Sequence, residues 1–255
     1  MRSAVNVCIL LCVCDQYLAL TCEITAAPQE EPETRPRAIV NVSQVPQRSP
    51  FRYPGGKTWA LPTIRRWFAR MPTTPALLIE PFAGGGIVSL TAAFEHLARH
   101  VLMVERDDDV AAVWTTIIDG DAVWLAERIR TFCLTREAVV TTLAQAQDEM
   151  RERAFQTILR NRVQRGGIMA RRAGLVKKGE DGRGVQSRWY AQTLYNRILD
   201  IVHVRKHITF VHGDGLDVMR ANKRAGSRLY THSVIDHEEL LRITASYAPQ
   251  RRVAR

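Results

Sequence analysis

Ala76-Leu77-Leu78-Ile79-Glu80-Pro81-Phe82-Ala83-Gly84-Gly85-Gly86 decides how this chain folds. Four apolar residues with no polar alternation, Ala76–Ile79, mark a strand buried on both faces, as strands of a parallel sheet are. Glu80–Gly86 is then the turn that leaves the strand, and 87–98 reads as the helix that follows. Glycines in succession tolerate positive φ and let the backbone come close to a ligand. The helix after them opens with N–H groups that have no partner inside the helix.

The same grammar repeats outward. Val101–Val104 is a second apolar strand and exits through Glu105-Arg106-Asp107 into a helix over 108–118. Ile208–Val211 is a third and exits through His212-Gly213-Asp214-Gly215, with a short helix over 215–222. Upstream, Phe51-Arg52-Tyr53-Pro54-Gly55-Gly56-Lys57 is a glycine-bearing turn before a helix over 58–71, which Pro72 and Pro75 end. Trp59, Leu61, Ile64, Trp67 and Phe68 lie at helical spacing and read as core. Residues 121–165 carry helical patterns without strands, 166–188 are loop-like, 189–204 are helical, and a last helix is expected over 235–245. The pattern predicts an α/β fold with a parallel sheet. Ligands of such sheets bind beyond the carboxyl ends of the strands.

Glu105 lies 19 residues after Gly86, close to the spacing at which an acid at the end of the second strand accepts hydrogen bonds from a ribose. The third glycine of a dinucleotide fingerprint would fall at 89, which is Ser89. The turn by itself points to an adenosine-containing cofactor. It leaves open a nicotinamide dinucleotide, S-adenosylmethionine, or a tight turn with no ligand.

The 255 residues are 46% hydrophobic and 24% charged, which fits a globular protein and excludes disordered and collagen-like classes. The net charge of +10 is unevenly spread. Residues 1–150 carry a net −3, whereas 151–206 hold 14 basic and 4 acidic residues. A segment this basic favours a nucleic-acid partner over a merely solvated face. Four of the five cysteines (Cys8, Cys12, Cys14, Cys22) lie near the N-terminus without a CxxC pair, and Cys133 stands alone. Neither a zinc site nor a disulfide framework is expected, and a cytoplasmic, reducing setting follows. The apolar stretch Ala4–Val13 has the length of a signal-peptide core and is too short to span a bilayer. Residues 1–50 are expected to be an extension, disordered or signal-like, that folds with nothing. No HExxH, GxSxG or phosphate-loop motif occurs. Asp107, Asp108 and Asp109 suit a helix N-terminus better than a metal.

Taken together, Tyr53, Gly55, Gly56 and Lys57 before the first helix and Phe82, Gly84 and Gly86 after the first strand resemble the Dam-type family of N6-adenine DNA methyltransferases. The resemblance covers most of residues 51–245 and implies a Rossmann-like S-adenosylmethionine-dependent methyltransferase sheet with an inserted helical DNA-recognition region. The cofactor core would be discontinuous, 51–120 with 207–255, and the insertion would span 121–206. S-adenosylmethionine would be held by Tyr53, Gly55, Gly56, Lys57, Glu80, Phe82, Gly84, Gly86, Glu105 and Asp214. Arg160, Arg162, Arg165, Arg171, Arg172, Lys177, Lys178, Arg183 and Arg188 would contact double-stranded DNA, mostly at phosphates. A cognate restriction endonuclease is a further partner that the family implies; a membrane and a metal are not.

The family transfers the methyl group at an Asp-Pro-Pro-Tyr motif after its fourth strand, on an adenine flipped from the duplex. This chain has no proline between Pro81 and Pro249, and the place for the motif, between Asn222 and Lys223, holds nothing. No catalytic residue is therefore assigned. The fourth strand, which lies beside the first in that topology, is missing too, so the edge at Leu77–Ile79 is expected to be open. Two functions remain: a DNA adenine methyltransferase, or an inactive remnant that binds the cofactor or DNA.

Overall fold

The computed structural model describes residues 7–11, 45–52, 57–146, 149–165, 173–179, 182–222 and 228–231. It is a mixed α/β protein built on a parallel sheet. The strands are β1 (Val7–Leu11), β2 (Leu77–Glu80), β3 (His100–Glu105), β4 (Ile208–His212) and β5 (Arg228–Thr231), in the order β4-β3-β2-β1-β5. All four pairings are parallel.

The helices are α1 (Leu61–Ala69), α2 (Ile87–Phe94), α3 (Asp108–Ile118), α4 (Ala122–Thr131), α5 (Arg136–Ala144), α6 (Met150–Val163), α7 (Ala191–Val204) and α8 (Gly215–Ala221). α2 and α3 are apolar on most sides and are nearly sealed from solvent, with Leu90, Val113 and Trp114 fully buried. The start of α3 is set by Asp107, whose carboxylate accepts the N–H groups of Asp109 and Val110. The insertion is helical as expected. α4, α6 and α7 pack on α3, and α4 packs on both α6 and α7; their apolar residues (Leu125, Ile129, Phe155, Ile158, Leu194, Ile198) join the core of the sheet rather than forming a separate one.

Two expectations are corrected. Residues 1–50 do not all fold with nothing. Val7–Leu11 pairs with β2 in register (Val7 with Leu77, Cys8 with Leu78, Ile9 with Ile79), and β5 pairs with its far side. The β2 edge is therefore covered: a continuous apolar pentapeptide supplies the backbone partners that a buried strand must have. The stretch just before the first helix is packed too, with Val45, Ser49, Pro50 and Phe51 buried. The helix expected over 235–245 lies outside the described residues.

From β2 the chain winds outward to β3 and β4, while β1 and β5 lie on its other side. The order reverses between β1 and β5, and the turn leaving β2 lies next to that point on the carboxyl edge, the side on which open α/β sheets take ligands. Among the described residues no helix is long and apolar enough to cross a membrane.

Candidate functional site

Three exit turns meet at the carboxyl edge of the sheet. Ala83 N–H donates to Val104 O at 2.9 Å, which carries the β2–β3 pairing past the end of the strand. Gly84 and Gly86 adopt left-handed φ of 50° and 64°. At Gly86 a Cβ would stand 2.7 Å from the Trp114 ring and 2.8 Å from Met103 Cε, so glycine is required there both for conformation and for space. The indole N–H of Trp114 donates to Gly84 O at 2.8 Å and fixes the turn from below.

Glu105 ties the turns together. Its Oε2 accepts Gly84 N–H at 2.8 Å, and its Oε1 accepts the N–H groups of Arg106 and Asp107 at 2.8 and 2.9 Å. A carboxylate has about four lone-pair directions. Three are filled, and the half-buried group has one left over. Asp214 caps α8 by accepting Leu216 N–H at 2.8 Å, and lies 3.6 Å from the Arg106 guanidinium. Gly215 packs so closely on Pro81 that a Cβ would meet the Pro81 carbonyl at 2.0 Å.

Glu80 and Lys57 play other parts than those the resemblance implies. The Glu80 carboxylate is fully buried. Its Oε1 takes the Lys57 ammonium at 2.8 Å, and its Oε2 takes Ser89 N–H at 2.9 Å and Ser89 Oγ–H at 2.6 Å. Lys57 also donates to Phe82 O at 2.9 Å. These two residues tie the glycine turn to α2 and to the short turn before α1, and the Glu80 carboxylate is sealed from the edge. Phe82 does, with 44% of its surface exposed although it is apolar. Tyr53, Gly55 and Gly56 lie outside the described residues.

Sequence reading missed Ser89 as a partner of Glu80; the only signal was a serine in the glycine's place. Ser49 was missed as well, and its hydroxyl donates to Gly85 O at 2.5 Å.

The expected DNA contacts divide. Arg165, Lys177, Lys178 and Arg183 are exposed, Arg188 is half-buried, and Arg171 and Arg172 lie outside the described residues. Arg160 and Arg162 are only 5% and 3% exposed and are corrected to interior residues. Arg160 binds Asp109 at 3.2 Å, beside an Arg153–Asp109 pair at 2.7 Å, and so bolts α6 to the start of α3. Arg162 donates to Pro50 O at 2.5 Å. Two residues apart, they point to different faces of α6, whose last two turns are buried all round.

No protein-family model matches the chain, and no curated protein is significantly similar to it.

Proposed function

We propose that the chain binds S-adenosylmethionine across the exit turns of β2, β3 and β4, and duplex DNA through its basic insertion, as an adenine-N6 DNA methyltransferase type of protein. One observation carries the choice of cofactor. The first turn of α2, where a dinucleotide fold would seat a pyrophosphate, is already capped by the carboxylate of Glu80. That carboxylate, paired with Lys57, already occupies the Ser89 N–H that a pyrophosphate would need. It does not oppose a cationic sulfonium ligand, which carries no phosphate.

Glu105 would accept from the ribose, Phe82 would offer its exposed ring to an apolar part of the ligand, and Asp214 borders the same edge. Lys57 and Glu80 act on the ligand only by setting the turn. When bound, the cofactor supplies an electrophilic methyl group. Positioning the acceptor nitrogen is then most of the work, and the Asp-Pro-Pro-Tyr residues that do it in the resembling family are missing here. That absence favours a second reading, a protein that binds cofactor or DNA without transferring the methyl.

Calorimetric titration of the full chain separates the cofactor readings. S-adenosylmethionine binds and NADH does not; tight NADH binding without S-adenosylmethionine would overturn the proposal. Glu105→Ala removes one charged hydrogen bond to the ligand and loosens the glycine turn, and weakens binding by about 10–100-fold. Label transfer from S-adenosylmethionine to unmethylated duplex, compared with Gly84→Arg, separates enzyme from remnant. Transfer above that control sinks the remnant reading.

A further inference from the structure

A second site lies beside this edge, where α6 and α7 grip the segment 49–52. Arg162 of α6 donates to Pro50 O at 2.5 Å, and Arg197 of α7 donates to the neighbouring Ser49 O at 3.1 Å. Asn161 holds both backbone groups of Arg52, accepting its N–H at 2.8 Å and donating to its carbonyl at 2.9 Å. Two guanidinium groups therefore converge on four residues of chain, the last of which, Arg52, carries a third. They are graded in depth: Arg52 is exposed, Arg197 half-buried and Arg162 only 3% exposed.

Among the described residues no carboxylate pairs with Arg162 or Arg197. The Arg162 Nε–H is buried without any partner. Burial, followed by repulsion from Arg197 and Arg52, lowers the Arg162 pKa to about 9. Burial lowers that of Arg197 too. Among the described residues Arg162 and Arg197 crowd their like charges in a poorly solvated place with no carboxylate on either, which is costly, and an unmade hydrogen bond to a charged donor adds to the cost.

From this arrangement we infer that Arg162 and Arg197, with Arg52 at the mouth, form an oxyanion-binding site. A phosphate or carboxylate group supplies the missing negative charge and fits the donor fork of a guanidinium. The site adjoins the cofactor edge, because the Ser49 that Arg197 holds also bonds Gly85 of the glycine turn. Two sources fit that place: a phosphodiester of bound DNA, or the amino-acid carboxylate of S-adenosylmethionine. The choice of these two sources rests on the proposed function; the site itself does not.

Inorganic phosphate reads the site directly. Added to the full chain at constant ionic strength against chloride, it raises the melting midpoint by about 3–6 °C at ten times its Kd. Arg197→Gln abolishes the rise. Arg197→Lys, which keeps a charge and a donor for Ser49 O, retains most of it, so that a missing charge is told from a damaged fold. A midpoint indifferent to phosphate, or a rise that Arg197→Gln leaves intact, overturns the site.

The source is read next. If Arg197→Gln weakens S-adenosylmethionine but not 5′-methylthioadenosine, which lacks the carboxylate, the anion is the cofactor's. If it weakens duplex DNA and lowers the salt slope by about 1, the anion is a phosphodiester. If it changes neither, neither ligand is the source and that assignment falls. Should S-adenosylmethionine not bind at all, the phosphate shift still stands as its own test.

Discussion

Glu80 shows how one residue can be marked by its position in a sequence and still be assigned the wrong task. Sitting at the end of β2 before a glycine turn, it reads as a ligand contact. Its carboxylate instead closes a buried knot of Lys57, Ser89 N–H and Ser89 Oγ–H. Glu80→Gln keeps the shape but replaces one acceptor oxygen by a donor, which must then face Lys57 or Ser89, and leaves the Lys57 ammonium without its counter-charge. Breaking one side of a buried pair costs about 3–5 kcal/mol. Urea denaturation should show a loss of that order; a loss below about 1 kcal/mol would mean that the knot does not hold the turn. The glycines and Glu105 were legible because backbone conformation and strand-end position are local properties. The inward course of Glu80 was not, because it depends on Lys57 and Ser89, which only the packed turn before α1 and the packed α2 bring to it.

At the scale of elements, α3 starts and ends where its pattern places it, since Asp107 caps it and its apolar residues recur around all sides of a buried helix. β2, β3 and β4 were legible for the same reason. β1 was not, because an apolar run of a few residues looks alike in a buried strand and in a signal-peptide core. As an inner strand, paired to both β2 and β5, β1 needs its N–H groups. Ile9→Pro removes one and should cost about 3 kcal/mol or more. The loss should appear as a lower melting midpoint and increased light scattering as the β2 edge opens. An unchanged midpoint would place Val7–Leu11 outside the sheet. The β3–β4 pair makes a pH prediction. His100 bonds Thr209 at 2.8 Å across the pair, and burial, with repulsion from His207 second, lowers its pKa from the ordinary 6.5. The unfolded chain therefore takes up protons first as pH falls. His100 contributes its full stability above 6.5 and loses it progressively below, down to its folded value. His100→Gln should flatten the stability profile in that window, and an equal slope in the two proteins would rule the assignment out.

Across the whole molecule, net charge proves a coarser guide than the placement of each charge. The basic excess of 151–206 is real, yet Arg160 and Arg162 turn their charge inward, to Asp109 and to the chain at Pro50. Composition cannot tell an interior arginine from an exposed one, because both are equally basic letters. The two kinds separate in a salt titration of DNA binding. Arg165, Lys177, Lys178 and Arg183 are exposed, where phosphates can reach them. Replacing all four by Gln should leave the melting midpoint nearly where it was. Removing one cation that neutralises a phosphate lowers the slope of log affinity against log salt by about 0.9, so the quadruple variant should lose between about 2 and 4 units of slope. Arg160→Gln should do the reverse. It strips Asp109 of a buried partner and lowers stability, and at temperatures where the protein stays folded it leaves the salt slope unchanged. A quadruple variant with wild-type slope would mean that this face meets no nucleic acid. The charge of the insertion would then serve only to keep the surface solvated, and the DNA half of the proposed function would have to be given up while the cofactor half, which rests on Glu80, Glu105 and the glycine turn, stayed where it is.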